Sequence, residues 1–164
     1  MISSHVHRIA HRNVPSPVVV SACLLGVCCR FDGTSKPSDA VIEFVRNRYV
    51  IPVCSEQLGG LPTPRHRHEI VQGRVISEHG HDATDAFERG AREVLRIVEL
   101  FSVRVMILKA RSPSCGRGGV YDGTFSGRVV SGDGVLAALC VRSGCDVFTE
   151  EQLALASRVL QQLQ

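Results

Sequence analysis

The sequence lacks several features that would assign it to a common class of protein. It has no run of about 18 apolar residues, so a membrane-spanning helix is not expected. Its N-terminus has no apolar core of the kind that a signal peptide requires. It also lacks a Walker phosphate loop, a complete G-x-G-x-x-G motif and an RNA-binding aromatic signature. These absences disfavour nucleotide-cofactor enzymes and RNA-recognition domains.

Seven cysteines are present, and their number is informative. An odd count without an export signal argues against a disulfide framework and favours reduced thiols in the cytoplasm, where we expect this protein. Some of those thiols are then candidates for ligands or nucleophiles. The net charge of +3 is too small to indicate non-specific binding of nucleic acid. A chain of 164 residues suits one domain.

The same local arrangement occurs three times along the chain: a short apolar stretch, then a cysteine, then a glycine turn. The three pairs are residues 18–21 with Cys23, 50–53 with Cys54, and 105–108 with Cys115. Short apolar runs bounded by glycine and proline are typical of buried strands that end in tight loops. The pattern therefore predicts three thiols at the ends of three strands.

Helical patterns alternate with these strands. Capping residues and apolar periodicity predict four helices, which run over 39–48, 82–102, 134–144 and 149 onward. A short fourth strand at 147–148 and small hairpins around residues 73 and 123 complete the prediction. The order indicates a single-domain, Rossmann-like three-layer α/β fold with a mainly parallel sheet between helices. We assign residues 17–164 to this domain and 1–16 to a loosely held, histidine-containing arm, for which metal binding is the alternative.

Parallel strands end at one edge of their sheet, and ligands bind there where the strand order reverses. If the first strand lies between the second and third, Cys23, Cys54 and Cys115 meet at that point. Three thiolates can hold zinc or an iron–sulfur cluster with one position open. The alternative is that all three are buried apolar residues, since free cysteine is often buried.

Two polar residues lie close to these cysteines in sequence. Glu56 follows Cys54 by two positions and is a candidate general acid or base, or else a loop cap. Ser112 precedes Cys115 by three positions and is a candidate substrate contact, or else satisfies turn amides. The other cysteines, which are Cys28, Cys29, Cys140 and Cys145, are predicted to serve packing. The basic segment RHRH at 65–68 is predicted to be a solvated face, with anion or substrate contact as the alternative.

Six motifs together resemble a small domain family whose studied members are thiouracil desulfidases. They are SACLLG (21–26), RFDG (30–33), PVCSEQLGGLPTPR (52–65), GA (90–91), ILKARSPSCG (107–116) and YDGTFSG (121–127). The resemblance covers residues 18 to 152, and it is specific because the motifs are long and in order.

The resemblance implies a 4Fe-4S cluster held by Cys23, Cys54 and Cys115. Its open iron takes the thiocarbonyl sulfur of the substrate, and sulfur is exchanged for oxygen without redox change. Glu56 and Ser112 match the assisting carboxylate and serine. Longer members with an extra C-terminal domain act on thiolated RNA, so the expected partner here is a thiolated base or nucleoside. Nucleic acid and membrane are not favoured as partners, and the oligomeric state stays open.

Two positions depart from the family pattern. Cys28 stands where proline is usual, and residues 66–68 (HRH) stand where proline-rich, uncharged residues are usual. Either change could alter the substrate entrance. Two other classes of function remain as alternatives: a metal-sensing or redox-sensing iron–sulfur or zinc module without turnover, and a structural domain with buried thiols.

Overall fold

The computed structural model describes residues 16–163, which form one central four-stranded sheet with helices on both faces. The sheet strands are β1 (Val18–Ser21), β2 (Val50–Val53), β5 (Val105–Leu108) and β8 (Asp146–Thr149). Their order is β2-β1-β5-β8, and all neighbouring pairs are parallel. The predicted α/β fold is confirmed, with the first strand between the second and third. The predicted N-terminal arm lies almost entirely outside the described residues.

Two apolar cores lie on opposite faces of the sheet, because successive strand side chains point to opposite sides. Along β5, Val105 and Ile107 pack on one face, and Met106 and Leu108 pack on the other. The helices are α1 (Asp39–Val45), α2 (Ser55–Leu58), α3 (Thr84–Leu100), α4 (Val135–Arg142) and α5 (Leu153–Gln162). Helices α3 and α4 cover the Met106 face, while α1 and α5 cover the other. The sheet core is thus buried on both sides.

The long helix α3 approaches the α2 segment so closely that a side chain cannot fit between them. A Cβ atom on Gly90 would lie 1.8 Å from the backbone oxygen of Ser55. No real Cβ tolerates that distance, so glycine is required at this crossing. The GA motif therefore acts through packing, because it lets α3 support the loop that carries Cys54.

Two small hairpins stand beyond the sheet, as predicted. β3 (His68–Val71) pairs with β4 (Arg74–Ser77), and β6 (Val120–Tyr121) pairs with β7 (Val129–Val130), both antiparallel. The first turn places Gln72 and Gly73 at positive φ, as a two-residue hairpin loop requires. The buried carboxylate of Glu69 accepts hydrogen bonds from the amides of Gly123 and Phe125, each at 3.0 Å. This contact joins the two hairpins.

The helix boundaries differ from the predictions by a few residues. α1 ends at Val45 and not near Arg48, because its last amides turn back in short i→i−3 bonds. Asp82 lies one residue before the N-cap of α3, where it accepts the Thr84 amide at 2.8 Å. Gln152 accepts the Thr149 amide at 3.1 Å, yet α5 begins only at Leu153. No helix in the described part of the chain is both long and apolar enough to cross a bilayer.

Candidate functional site

The three strand-end cysteines lie on the walls of one cavity at the carboxyl edge of the sheet. Cys23 follows β1 in a 3-10 turn, Cys54 comes directly after β2, and Cys115 lies in the loop after β5. Because β1 lies between β2 and β5, their three loops meet. The cavity has a volume of about 420 Å³ and is also lined by Glu56 and Ser112. All five residues predicted for the site are therefore brought together, while their roles stay predictions.

The thiols of the cavity are held in a partly buried, hydrogen-bonded environment. Burial raises the pKa of the Cys115 thiol to about 12, although Ser21 Oγ donates to its sulfur at 3.4 Å. A hydrogen bond with Cys29, together with burial, raises the pKa of Cys54. Cys54 Sγ also donates to the Cys29 carbonyl at 3.6 Å. The raised pKa values keep Cys54 and Cys115 protonated at neutral pH, so both thiols must lose a proton to bind a metal.

The spacing of the sulfurs bears on which metal they fit. Within residues 16–163, Cys23, Cys54 and Cys115 do not form a set whose ligand atoms all lie within 4.8 Å of one another. A single tetrahedral zinc ion, with Zn–S bonds of about 2.3 Å, holds its sulfurs about 3.8 Å apart. Three thiolates can also hold an iron–sulfur cluster that keeps one iron open, so the donor set by itself fits either kind of metal group.

Glu56 is held by Arg65 at the cavity wall. Arg65 Nε donates to Glu56 Oε2 at 2.6 Å, and the two side chains are 4% and 16% exposed. The guanidinium also donates to the carbonyls of Pro62 and Cys29, at 3.1 and 2.9 Å. One carboxylate oxygen is therefore engaged, and the other is available to a molecule in the cavity.

Ser112 lines the cavity, and its hydroxyl oxygen is already hydrogen-bonded to the loop that carries it. Its Oγ accepts the amide hydrogens of Ser114 and Cys115, each at 3.1 Å. A hydroxyl oxygen has two lone pairs and one hydrogen to donate. Because both lone pairs are used, the Ser112 hydroxyl can only donate. The turn-amide interpretation and the substrate-contact interpretation are thus compatible.

A buried contact between hydroxyls locks two of the loops together. The Oγ atoms of Ser55 and Ser114 share a hydrogen bond, and both residues are buried. Ser55 follows Cys54 and Ser114 precedes Cys115. The contact therefore fixes these two cysteines relative to each other.

Basic residues form much of the remaining cavity wall, and three of them belong to the segment 65–68, for which substrate contact was the alternative prediction. The members are Arg30, Arg65, Arg67, Lys109 and Arg111, and His68 lies beside them. Each of the five cations pairs with a carboxylate, and four of those carboxylates lie outside the cavity. The solvated-face prediction for residues 65–68 is wrong for Arg65, whose side chain is 4% exposed. Arg67 and His68 are half-buried residues that line the cavity, and His66 is exposed. Burial lowers the pKa of His68.

Cys29 is a further cavity residue that sequence reasoning assigned to packing. It is buried, and a hydrogen bond with Cys23 is the main factor that raises the pKa of its thiol to about 11. Its position directly before the RFDG motif was the available signal. Cys28 is exposed, and Cys140 and Cys145 lie in the core beneath α4. The packing prediction thus fits Cys29, Cys140 and Cys145, and it is wrong for the exposed Cys28.

The fold and site define a three-layer α/β protein with a thiol-lined ligand cavity at the carboxyl edge of its sheet. A family model for 2-thiouracil desulfurase matches residues 18–152, and the chain belongs to that family. The uncharacterized protein YbbK of Bacillus subtilis strain 168 is 36% identical over 146 residues, which are 83% of this chain and 97% of YbbK.

A solved structure gives a further comparison. The [4Fe-4S]-dependent thiouracil desulfidase TudS superposes with a TM-score of 0.85 at 39% identity. The match covers 90% of this chain and 99% of TudS. The family resemblance seen in the motifs is confirmed.

Proposed function

We propose that this protein desulfurates thiolated nucleobases such as 2-thiouracil or 4-thiouracil. Water replaces the thiocarbonyl sulfur, so that C=S becomes C=O and hydrogen sulfide is released without redox change. The observation that carries the proposal is the convergence of Cys23, Cys54, Cys115, Glu56 and Ser112 on one cavity. Membership of the 2-thiouracil desulfurase family and the likeness to TudS support it.

We assign the cofactor as a 4Fe-4S cluster bound by Cys23, Cys54 and Cys115. The donor set fits, because three thiols converge from separate loops on one cavity and would leave one iron of the cluster without a protein ligand. When bound, the cluster supplies a Lewis-acidic iron without a protein ligand, which accepts the thiocarbonyl sulfur and makes its carbon more electrophilic.

Glu56 is assigned to activate water. Glu56 lines the cavity, and the hydrogen bond from Arg65 to Oε2 fixes its orientation and leaves Oε1 for a water molecule. The carboxylate accepts a proton as the water oxygen attacks the carbon of the C=S bond. That proton can then pass to the departing sulfur.

Ser112 is assigned to orient the substrate. Because its oxygen accepts two amide hydrogens, its hydroxyl hydrogen points away from them and is free to donate to a ring atom of the base. Phe31 and Tyr121 also line the cavity and offer aromatic surface to a planar ring. The volume of about 420 Å³ lies in the range of small-ligand sites, which is about 300–1,000 Å³.

The test is sulfide release, measured without oxygen on iron-loaded protein. The substrates are 2-thiouracil, 4-thiouracil and their nucleosides, and iron per chain is measured on the same samples. Glu56→Gln should keep its iron and lose about 10²- to 10⁴-fold in turnover, the usual contribution of general-base assistance. Glu43→Gln is the matched control, because Glu43 is exposed on α1 and far from the cavity wall.

The outcomes distinguish the parts of the proposal. Full activity in iron-loaded Glu56→Gln would remove Glu56 from the mechanism but leave the reaction in place. If the iron-loaded wild type releases no sulfide from any of these substrates, the enzyme assignment is wrong. The protein would then be an iron–sulfur binding module that senses metal or redox state.

A further inference from the structure

A second group of metal-ligating side chains lies on the surface, outside the thiol cavity. It consists of His66, Glu78 and His79, called here the hairpin triad. All three residues are exposed, and their ligand atoms lie within 4.8 Å of one another. No other set of three His, Cys, Asp or Glu side chains in residues 16–163 meets this limit. We propose that the hairpin triad binds a divalent cation of the zinc type.

The distances in the triad suit an ion better than a direct contact. His66 Nδ1 lies 3.8 Å from Glu78 Oε1, which is too far for a hydrogen bond. The rings of His66 and His79 are 4.4 Å apart at their centroids and almost perpendicular, at 89°. A tetrahedral zinc ion, with Zn–N bonds of about 2.0–2.1 Å, holds its ligand atoms about 3.4 Å apart. Small rotations of exposed side chains are enough to close the triad around it.

The backbone that carries the three ligands is already fixed. His66 lies two residues before β3, and Glu78 and His79 follow β4 directly. The Glu78 amide donates to the Arg67 carbonyl at 2.9 Å, which closes the open end of the hairpin. The Gly80 amide donates to the Ser77 carbonyl at 2.8 Å, which turns the chain after β4. Ion binding therefore costs mainly side-chain entropy, because the loops do not have to be ordered.

The donor chemistry favours zinc over softer or harder ions. Two imidazole nitrogens and one carboxylate oxygen are ligands that zinc takes in proteins, with a water in the open position. The Arg67 amide donates to Glu78 Oε1 at 3.3 Å, which orients the carboxylate and leaves its remaining lone pairs for the ion. The triad contains no thiol, so its coordination shell differs from any metal bound in the cavity.

An ion bound at the hairpin triad would constrain part of the cavity wall. His66 lies between Arg65 and Arg67, which both line the cavity. An ion shared by His66, Glu78 and His79 would tie this basic segment to the end of β4. The inference does not depend on the proposed reaction, because it rests on residues outside the cavity.

The test is a calorimetric titration of the full-length protein with Zn²⁺, performed without oxygen. His79→Gln and His66→Gln each remove one ligand, and His81→Gln is the matched control because it is an exposed histidine outside the triad. Loss of a partner that only hydrogen-bonds to a metal ligand already costs about 10- to 100-fold in affinity. We therefore expect one class of site to weaken at least about 10-fold in both triad variants and to be unchanged in His81→Gln.

Two further measurements separate this site from other metal-binding groups. A variant with His5, His7 and His11 replaced by Gln should titrate like wild type, which excludes the N-terminal histidines. Zinc-edge X-ray absorption should show a shell of nitrogen and oxygen that is lost in His79→Gln. Wild-type titration curves in both triad variants would overturn the proposal. So would loss of the same class of site in the N-terminal variant, or a zinc shell made only of sulfur.

Discussion

Apart from the exposed Cys28, the cysteines lie in two regions that differ in what surrounds them. Cys115 in the cavity and Cys145 under α4 are equally exposed, at 9% each. Cys115, however, lies in a loop at the carboxyl edge of the sheet, while Cys145 precedes β8 at the opposite edge. Cys23 and Cys54 share the first edge, and Cys140 shares the second region. Burial alone therefore does not separate a candidate ligand from a packing residue; position at the sheet edge does.

The strongest test of this comparison is the retention of iron. Cys23→Ser, Cys54→Ser and Cys115→Ser should each abolish cluster retention, because each removes one of the three proposed ligands. Cys140→Ser and Cys145→Ser should retain it, with a loss of about 1–3 kcal/mol from a buried hydroxyl. Iron per chain and the visible spectrum of anaerobically purified protein measure the effect. Equal iron loss in all five variants would indicate general instability and contradict the assignment.

Thiol reactivity in the iron-free protein sharpens the same comparison. The ordinary thiol pKa of 9.0 rises to about 12 at Cys115, so its reactive thiolate is about 1,000-fold scarcer at pH 8. Iodoacetamide should modify exposed Cys28 well before Cys115, and the Cys115 rate should rise with pH. Mass spectrometry of digested samples taken over time at pH 7 to 9 resolves the two sites. Equal rates at both residues would show that the cavity does not suppress the thiolate.

The close packing of α3 against the α2 segment, behind the cavity, gives a prediction whose expected effect on stability and iron content is intermediate. Gly90→Ala forces α3 and the Ser55 backbone apart, which should cost at least about 1–3 kcal/mol and displace Cys54. The melting temperature should fall by about 2–4 °C for each kcal/mol. Iron retention should fall as well. Arg92→Ala, on the exposed face of the same helix, should stay within about 0.5 kcal/mol of wild type. An unchanged iron content in Gly90→Ala would show that this helix does not position the ligand loop.

The smallest expected effect is that of Ser112→Ala. This change removes the proposed hydrogen bond to substrate and the acceptor of two turn amides, while the three thiols stay. A neutral hydrogen bond contributes about 0.5–1.5 kcal/mol, so we expect about a 10-fold loss of turnover with iron retained. Sulfide release and iron content measured on one preparation check it. A loss as large as that of Glu56→Gln would assign proton transfer to Ser112 as well.

Much of the site was predictable, because strand-end loops leave local signals. Cys54 follows its strand directly and Cys115 lies between proline and glycine, so short-range pattern was sufficient to select them. Glu56 and Ser112 were found through their sequence distance to these cysteines. The cations Lys109 and Arg111 were missed, since they follow β5 with no periodic or spacing signal. Cys29, which was assigned to packing, is buried in the core and also lines the cavity, a position that its irregular loop gives no local signal for.

By itself the sequence determined the strands, most helices and the family, since these depend on local periodicity, capping and uninterrupted motifs. Only the tertiary structure decided that β1 lies between β2 and β5, which is what makes the three cysteine loops meet. It also decided that Arg65 faces Glu56 while His66 turns toward Glu78. Neighbouring residues point to different surfaces according to the packing around them, and that packing involves segments far apart in the chain. No local pattern contains this information.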